Sequence, residues 1–513
     1  MHIKTNLSNV SKQLYDISQR YPNHEAIYCD GERYTYSELN SLASMLAKGL
    51  LRKGVKPGSH IGVAVQNSTE FVIIFYAISR IGCVLVPINP SFTKKEAEYI
   101  IKQSDINVLF CDSLNYYADL CNAYPNIDLK VSINFQHKDF VDFESIFMSL
   151  EKNEIIHKYN RDDLIAIVYT SGTTGNPKGA MLTHTGVLYT TKSAGKRMKI
   201  TENDVFLLPN PVFHIFGITF ILRALICGGK LVIMKKYSVK EALRLIEQEK
   251  VTVHPGVPTM FTLELNSEYL NYFDVSSLRT GEVAAASCPV EIIKRIRNEM
   301  GCNILIAYGL TETSAAASIT SFNDDDFTRS ETVGKPIDGT DIKIVNEKRI
   351  ECKIGEVGEI AVRGPGVMKG YYKMPDETSK VFDEEGWFYT GDLGFKNESG
   401  YITIVGRKSD VIITGGYNVY PKEIEELLHQ YDGVSSCAVV GLPDDIYGEV
   451  VSACIVTKKG VNISEANISN YLQNKLVHYK VPRKFFFLKE LPVTPSGKVS
   501  KLMLKNKLLK QLN

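Results

Sequence analysis

One glycine- and hydroxyl-rich segment, residues 169–184 (YTSGTTGNPKGAMLTH), constrains this chain more than any other stretch of its sequence. It follows an apolar run at residues 164–168, which predicts a buried strand. Glycines let backbone N–H groups approach an anion closely, hydroxyl groups add donors, and Lys178 adds a positive charge. The pattern differs from the Walker A sequence G-x-x-x-x-G-K-[ST], because Lys178 is followed by glycine. The segment therefore predicts a phosphate-binding loop of another type, with the residues Ser171, Gly172, Thr173, Thr174, Gly175 and Lys178.

The first 150 residues alternate between patterns typical of strands and of helices. Apolar runs on either side of Asp30-Gly31 predict a β-hairpin with strands at 25–29 and 33–36. Thr35 and Glu38 have the spacing of a capping box, and the helix that follows should end before Gly54. Further buried strands are expected at 60–65 and 108–111. This alternation predicts a layered α/β architecture with largely parallel sheets.

The texture changes from about Thr340, where short β-rich runs alternate with glycines and charged turns. This pattern predicts a small and more antiparallel subdomain. Beyond Asp410 we expect an α+β domain of about 100 residues, an ordinary domain size. Its predicted elements are a helix at 421–429, strands at 436–440 and 450–457, a helix at 465–476, and a basic tail with solvated lysines.

Composition and charge exclude several classes of protein. Lys and Arg total 59 and Asp and Glu total 58, so a nucleic-acid partner is not expected. The ten cysteines include no C-x-x-C pair, which excludes zinc-ribbon and thioredoxin-type sites. The first residues lack the apolar stretch of a signal peptide, and together with the scattered cysteines this predicts a reducing, cytoplasmic setting.

The most apolar segment, residues 71–88, is long enough to suggest a membrane span. Arg80 lies in its middle and Pro87 lies near its end, and both oppose that interpretation. We expect instead a buried helix through Ile78 and a buried strand at 83–86, and no transmembrane segment.

Six further motifs follow the loop in order along the chain. They are PNPVFHIFG at 209–217, LRTGEVAAASCP at 278–289, YGLTET at 308–313, YTGD at 389–392, GGYNVYPKEIE at 415–425 and PSGK at 495–498. With the loop, and with Gly406-Arg407, these segments resemble the adenylate-forming superfamily of acyl-CoA synthetases, nonribosomal peptide synthetase adenylation domains and firefly luciferase. The resemblance covers essentially the whole chain and is strongest to fatty-acyl-CoA synthetases.

The resemblance implies a fold and a domain division. We expect a large N-terminal multi-layered α/β body, with two sheets, helices and a small β subdomain, at residues 1–406. A small mobile α+β lid domain should follow at residues 407–513. Such enzymes join a carboxylic acid to ATP, release pyrophosphate, and pass the acyl group from acyl-AMP to a thiol.

The resemblance also implies the roles of individual residues. The ATP phosphates would be held by Thr170, the loop residues 171–175 and Lys178, and Mg²⁺ by Glu312 with Thr170. Tyr308 would stack on adenine near Gly309 and Ala286, Thr311 would contact the α-phosphate, Asp392 would bind the ribose, and Arg407 would pair with the nucleotide. Lys498 would bridge the attacking carboxylate and the α-phosphate, whereas Gly415 and Gly416 would line the pantetheine channel of CoA. The expected catalytic residues are Lys498, Glu312, His214 and Thr170.

Two positions depart from the family pattern. Ser409 stands at the presumed hinge, where Asp or Lys is usual, and Ala285-Ala286-Ser287 replaces the usual Gly-Ala-Pro of the adenine segment.

The segment 212–216, VFHIF, has no carboxylate to hold a substrate ammonium, which argues against amino-acid activation. His214 resembles the gate of acyl- and aryl-CoA ligases, and Phe213, Phe216, Ile218 and Phe220 offer apolar surface. We therefore expect a medium- or long-chain fatty acid, with ATP, Mg²⁺ and CoA. An aryl-CoA ligase, an acyl-AMP ligase that loads a carrier protein in trans, and a non-catalytic scaffold remain as alternatives, and a homodimer stays open.

Overall fold

A computed structural model of the chain describes residues 9–148, 157–160, 162–170, 176–286, 288–493 and 499–512. It forms two compact units. The first unit comprises Met1–Ile342 and Val362–Phe388, and the second comprises Lys343–Ala361 and Tyr389–Asn513.

The strands in the described part of the chain, in order, are β1 (Glu25–Cys29), β2 (Glu32–Thr35), β3 (His60–Ala64), β4 (Val84–Pro87), β5 (Ile106–Cys111), β6 (Leu129–Ser132), β7 (Val141–Asp142), β8 (Leu164–Thr170), β9 (Lys178–Thr183), β10 (Val205–Leu208), β11 (Lys230–Ile233), β12 (Val253–Gly256), β13 (Thr280–Val283), β14 (Asn303–Tyr308), β15 (Ser318–Ile319), β16 (Lys335–Pro336), β17 (Asp341–Val345), β18 (Gly358–Arg363), β19 (Phe388–Lys396), β20 (Ile402–Arg407), β21 (Ile412–Thr414), β22 (Tyr417–Val419), β23 (Val434–Asp444), β24 (Gly448–Thr457) and β25 (Lys484–Phe487).

The helices are α1 (Val10–Arg20), α2 (Tyr36–Arg52), α3 (Thr69–Arg80), α4 (Lys94–Gln103), α5 (Tyr117–Ala123), α6 (His184–Arg197), α7 (Ile215–Cys227), α8 (Val239–Glu249), α9 (Pro258–Leu265), α10 (Val290–Met300), α11 (Asp326–Glu331), α12 (Pro375–Val381), α13 (Pro421–Gln430), α14 (Glu465–Gln473) and α15 (Lys501–Leu512).

Two large sheets organise the first unit. One has the strand order β16-β15-β14-β13-β12-β10-β11-β1-β2 and the other the order β7-β6-β5-β3-β4-β8-β9. Both are mainly parallel, and antiparallel pairs occur toward their ends, such as β1 with β2 and β8 with β9. The layered α/β architecture expected from the sequence is confirmed.

The local predictions for the first residues are confirmed as well. Strands β1 and β2 form the expected hairpin, with Asp30 and Gly31 both at positive φ between them. Thr35 caps α2 through both hydrogen bonds of a capping box with Glu38, and Gly54 lies just beyond the helix at φ +88°.

The apolar segment 71–88 is divided between α3 and β4 and is buried except at Gly82, in the turn between them. The Arg80 side chain is fully buried, and its guanidinium donates to Asn40 Oδ1 at 2.7 Å and to Ser44 Oγ. In the described part of the chain, no helix combines the length and the apolar character that crossing a membrane would require.

The second unit holds two smaller sheets. Strands β17-β18-β19-β20 form a four-stranded sheet, and β22-β21-β24-β23 form another, in which β25 pairs with β24. Helices α13 and α14 pack on the second of these sheets through Ile424, Leu428, Ile468 and Leu472. The α+β texture expected beyond Asp410 is confirmed.

The expectation of a basic tail with solvated lysines is confirmed for Lys507, which is exposed, and wrong for the segment as a whole. Residues 501–512 form helix α15, in which Leu504 and Leu508 are fully buried against Val440 and Leu442. Two of the lysines are held by carboxylates, Lys501 by Glu425 at 2.7 Å and Lys505 by Glu449 at 2.8 Å. The expectation considered only the many lysines of this segment. It overlooked a narrow apolar stripe formed by leucines at i, i+4 spacing.

Candidate active site

The predicted phosphate-binding segment lies at the turn between β8 and β9. These strands are antiparallel, and Thr170 and Lys178 face each other across the pair, with the Thr170 hydroxyl donating to the Lys178 carbonyl at 3.4 Å. Gly179 packs closely under the hairpin, because a Cβ there would come within 2.7 Å of Ile167 Cγ2. The loop residues Ser171, Gly172, Thr173, Thr174 and Gly175 lie outside the described residues.

Lys178 projects from the start of β9 onto two groups of the first unit. Its ammonium lies 5.2 Å from the centre of the Tyr371 ring and donates to Glu377 Oε2 in the first turn of α12. Glu377 also accepts from Lys380, and the two ammonium groups lower the pKa of the Glu377 carboxyl to about 2. The loop lysine therefore sits against an aromatic face and beside an ionised carboxylate.

Tyr308, Gly309, Thr311 and Glu312 come together where β14 ends. Tyr308 is the last residue of the strand and is buried, and Thr311 begins a single 3₁₀ turn that contains Glu312. Only glycine fits at position 309, since a Cβ would come within 1.7 Å of the Ala315 carbonyl oxygen. The chain therefore makes a sharp turn immediately after Tyr308. This turn brings the Glu312 carboxyl back toward the sheet.

Tyr371 links Glu312 to Lys178. Its hydroxyl donates to Glu312 Oε1 at 2.8 Å, while its ring lies under the Lys178 ammonium. Residues 369–372 run beside β9, with the Tyr372 N–H donating to the Gly179 carbonyl at 2.8 Å. The Tyr371 N–H donates to Thr378 Oγ1 of α12 at 2.9 Å. The strand edge and the helix together fix this aromatic bridge.

Sequence reasoning missed Tyr371 and Glu377. A tyrosine and a glutamate are common in exposed loops, and neither belongs to a glycine-rich pattern. The available signal was the sequence GYYKMPDE at 370–377, in which a positive-φ glycine precedes two tyrosines and a proline-started helix.

The adenine segment follows β13. Ala285 and Ala286 are exposed, and Ala285 has φ +74°, a conformation that costs an L-residue with a Cβ about 1–2 kcal/mol. Ala285 stands where the family pattern has glycine, and its positive φ is one that glycine adopts without this cost. Ser287 is outside the described residues.

His214 lies at the N-cap of α7, with its ring 4.7 Å from the Phe213 ring. The loop before it is held by Asn67, whose side chain donates to the Asn210 carbonyl at 3.0 Å and accepts from the Val212 N–H at 2.9 Å. Along α7, Phe216 and Phe220 contact edge to face at 5.1 Å. Phe213 and Phe216 are half-buried and can offer apolar surface beside His214, whereas the expectation is wrong for Ile218 and Phe220, which are buried in the core.

A buried ion pair lies further along the same helix. Arg223 on α7 donates to Glu282 Oε2 on β13 at 2.6 Å, and the two side chains are 2 % and 3 % exposed. The guanidinium also lies 4.3 Å from the Phe220 ring. The Glu282 carboxylate is therefore already neutralised by a partner within the protein.

The second unit brings Asp392 and Arg407 together. They face each other across β19 and β20, with Arg407 Nε 3.2 Å from Asp392 Oδ1. Asp392 is buried and its side chain is 8 % exposed, whereas that of Arg407 is 45 % exposed. Just after them, Ser409 of the presumed hinge lies in a 3₁₀ turn and donates to Asp410 Oδ1 at 3.1 Å.

Gly415 and Gly416 form the two-residue turn between β21 and β22. Their φ values are +56° and +84°, as a type I′ hairpin turn requires. The geometry of the hairpin turn alone therefore accounts for glycine at both positions, with or without a bound ligand beside them.

Lys498 lies outside the described residues. The chain on both sides of its segment is paired, since Val493 and Val499 form an antiparallel bridge and the Ser500 N–H donates to the Pro492 carbonyl at 2.8 Å. Helix α15 then begins at Lys501.

The donor chemistry suits a hard cation held mainly by a bound phosphate. Glu312 and Thr170 offer oxygen atoms, the ligands that Mg²⁺ prefers, and Mg²⁺ is typically bound through one or two carboxylates plus substrate phosphates. No group of three or more His, Cys, Asp or Glu side chains that could hold a metal occurs within the described ranges. These residues fit a magnesium ion that arrives with a nucleotide.

Two family models match the chain. The model described as AMP-binding enzyme matches residues 14–372, and that described as AMP-binding enzyme C-terminal domain matches residues 423–498. A Bacillus subtilis protein named putative acyl-CoA synthetase YngI is 36 % identical, over 99 % of this chain and 98 % of its own length. The long-chain-fatty-acid–CoA ligase of the same organism is 32 % identical, over 95 % of this chain and 92 % of its own length.

Among solved structures, ATP-bound MatB from Rhodopseudomonas palustris superposes with a TM-score of 0.91. It is 30 % identical, and the match covers 99 % of this chain and 100 % of that one. Motifs, fold and relatives agree: the chain belongs to the AMP-binding enzyme family, the adenylate-forming enzymes, and within it to the AMP-forming acyl-CoA synthetases and ligases.

Proposed function

We propose that this enzyme activates a medium- or long-chain fatty acid with ATP and transfers the acyl group to CoA. The observation that carries the proposal is the pair of contacts that Tyr371 makes with Lys178 and with Glu312. Through them a cation at the start of β9 and a buried carboxylate just beyond β14 are brought together. A nucleotide triphosphate with its magnesium needs both kinds of group.

In the first half-reaction a carboxylate oxygen of the acid attacks the α-phosphorus of ATP. The new bond gives acyl-AMP, and the bond to the β-phosphate oxygen breaks, so that pyrophosphate leaves with the electron pair. Both reactants are anionic, and catalysis therefore depends on placed cations and N–H donors. Lys178, Thr170 and the loop residues 171–175 would hold the β- and γ-phosphates, and Lys498 would bridge the carboxylate and the α-phosphate.

Further residues would contact the adenine, the ribose and the α-phosphate. Tyr308 would stack on adenine beside Gly309 and Ala286, and Thr311 would contact the α-phosphate. Asp392 would accept hydrogen bonds from the ribose hydroxyls, and its present partner Arg407 would pair with the nucleotide. Magnesium bound at Glu312 and Thr170 would neutralise charge that develops on the phosphates.

In the second half-reaction the CoA sulfur, which gives up its proton, attacks the acyl carbonyl carbon and AMP leaves. Gly415 and Gly416 would line the path of the pantetheine arm, where the absence of side chains leaves room. A Cβ atom added at Gly416 would have no neighbouring atom within 4 Å. One added at Gly415 would lie 3.4 Å from Tyr447, an ordinary van der Waals distance.

Three observations support an apolar acid. Phe213 and Phe216, which are half-buried, supply aromatic surface at the start of α7. The buried carboxylate of Glu282 is paired with Arg223 of α7, so it would offer no free counter-charge to a substrate ammonium. One relative is named a long-chain-fatty-acid–CoA ligase. Each further buried CH₂ of an acyl tail would contribute about 0.8 kcal/mol to binding.

The test is pyrophosphate release measured with a panel of acids, followed by mass spectrometry of the thioester. The panel holds fatty acids of increasing length, benzoate- and cinnamate-like acids, and amino acids, each with and without CoA. We expect turnover to rise with chain length into the medium or long range and to require CoA. Fast turnover of aryl acids alone would replace the fatty-acid proposal, and acyl-AMP that accumulates without acyl-CoA would favour a carrier protein as acceptor.

A further inference from the structure

Lys178 is paired with a counter-ion in the structure. Its ammonium donates to Glu377 Oε2, and the Lys178 and Glu377 side chains are 25 % and 33 % exposed. The two residues are 199 positions apart in the sequence, so the pair is a product of the tertiary fold. A half-buried pair is screened less by solvent than a pair on the open surface.

Secondary structure holds the backbone at both Lys178 and Glu377, so only their side chains are free to move. Lys178 is locked into the β8–β9 ladder opposite Thr170. Glu377 lies in the first turn of α12, whose next residue, Thr378, accepts a hydrogen bond from the Tyr371 N–H. The ion pair can therefore separate by side-chain rotation without a change of the backbone. In the paired position the Lys178 ammonium also lies 5.2 Å from the centre of the Tyr371 ring, which gives it a cation–π contact besides the carboxylate.

The Glu377 carboxylate is shared between two cations. Oε2 accepts from Lys178 and Oε1 accepts from Lys380 three residues along the same helix. When Lys178 leaves, Lys380 remains as a partner, so the carboxylate is not left unpaired. This arrangement lowers the cost of releasing the lysine.

We propose that Glu377 is an exchangeable counter-ion for Lys178, which gives up the lysine to the phosphates of ATP and takes it back when pyrophosphate leaves. This inference rests on the proposed function, because it assumes that Lys178 binds the β- and γ-phosphates. Glu377 touches no reacting atom and is a positioning residue. Since the lysine must leave one anion to bind another, the apparent affinity for both phosphate ligands is reduced by the fraction of enzyme held in the Lys178–Glu377 pair.

The test compares Glu377→Gln with Asp376→Asn in ATP–pyrophosphate exchange. The control removes the same charge one residue away, from an exposed side chain of the same helix turn that is not the ion-pair partner of Lys178 in the described structure. For Glu377→Gln we expect the KM for ATP and the KM for pyrophosphate to fall together, each by about 3–10-fold, with kcat changed less than about 2-fold. Asp376→Asn should leave all three within about 1.5-fold of the wild type, because exposed charges are strongly screened.

A conservative variant separates competition from a structural role. Glu377→Asp keeps the charge on a shorter side chain, and both constants should return toward the wild-type values. An unchanged or raised KM for ATP in Glu377→Gln would overturn the inference, as would a fall in KM without the matching fall in the pyrophosphate constant.

Failure of the proposed function would look different. If Lys178→Ala retained full exchange activity, Lys178 would not be a phosphate ligand, and the assignment of the loop itself would be wrong. If Lys178→Ala lost exchange while Glu377→Gln behaved like Asp376→Asn, the loop assignment would stand and only the counter-ion inference would fall.

Discussion

At the scale of single residues, His184 closes the predicted loop motif and is buried at the start of α6. Its Nδ1 accepts from the Val10 N–H at 3.3 Å, and its ring contacts the Tyr159 ring at 4.2 Å. Burial, and then the nearby His157, lower the pKa of the His184 imidazole to about 3. The folded protein therefore keeps this ring neutral where the unfolded chain takes up a proton.

This difference predicts how stability depends on pH. Below the unfolded-state pKa of about 6.5 the unfolded chain binds one more proton at this site than the folded chain, so the free energy of unfolding falls as pH decreases. The contribution of His184 should be about 2 kcal/mol smaller at pH 5 than at pH 6.5, and the loss should continue toward pH 3. Denaturant unfolding at a series of pH values measures this slope.

The matched variants are His184→Gln and His24→Gln. The glutamine at 184 can still accept from the Val10 N–H but does not titrate, so the slope between pH 6.5 and pH 5 should flatten. His24 is exposed, and His24→Gln is the control for removing a histidine from the surface. Equal slopes for the wild type and His184→Gln would contradict the assignment of the effect to His184.

Ala285 gives a second residue-scale prediction. Because its φ is +74°, Ala285→Gly should remove strain and raise the free energy of unfolding by about 0.5–1 kcal/mol, after the entropy that glycine adds to the unfolded chain. Its neighbour Ala284 is not among the described residues with positive φ, so Ala284→Gly should lower stability by about 0.5–1 kcal/mol. The melting temperatures of both variants are compared with that of the wild type. A shift in the same direction for both would contradict the strain argument.

At the scale of elements, helix α15 shows where sequence patterning was insufficient. The lysines of this segment conceal the stripe of Leu504 and Leu508, and only the packing on β23 and β24 shows that the stripe is buried. By contrast, the hairpin β1–β2 and the capping box of α2 were predictable, since each depends on residues close in sequence.

We predict that Leu504→Ala destabilises the second unit by about 2–5 kcal/mol, the usual cost of emptying a buried leucine site. Met503→Ala is the control, because Met503 is 55 % exposed and its truncation should cost little. Urea unfolding followed by far-ultraviolet circular dichroism measures both variants. Equal stability of the two would mean that α15 does not pack as described.

At the scale of the whole molecule, the candidate site residues are distributed over two units. Lys178, Tyr308 and Glu312 belong to the first unit, and Asp392 and Arg407 belong to the second. The domain boundary at 406/407 and the role of Lys498 stay predictions from the family resemblance.

These roles predict that replacing Lys498 slows the first half-reaction much more than the second. Lys498→Ala should reduce acyl-AMP formation by about 10²–10³-fold, the usual effect of losing one group that stabilises transition-state charge. Thioester formation from acyl-AMP supplied ready-made should change much less. Lys507→Ala, an exposed lysine of α15, is the control for charge. Unchanged ATP–pyrophosphate exchange in Lys498→Ala would contradict the proposed mechanism.

The sequence by itself determined the family, the layered architecture and most of the candidate site, because those features depend on short motifs and on hydrophobic periodicity. Tyr308, Glu312, Asp392 and Lys178 each stand in such a motif. Only the tertiary structure decided what these groups touch. The Tyr371 hydrogen bond to Glu312 and the Glu377 ion pair with Lys178 join residues 59 and 199 positions apart. No local pattern encodes such contacts, since they arise when residues 369–372 pair beside β9 and bring α12 to the loop lysine.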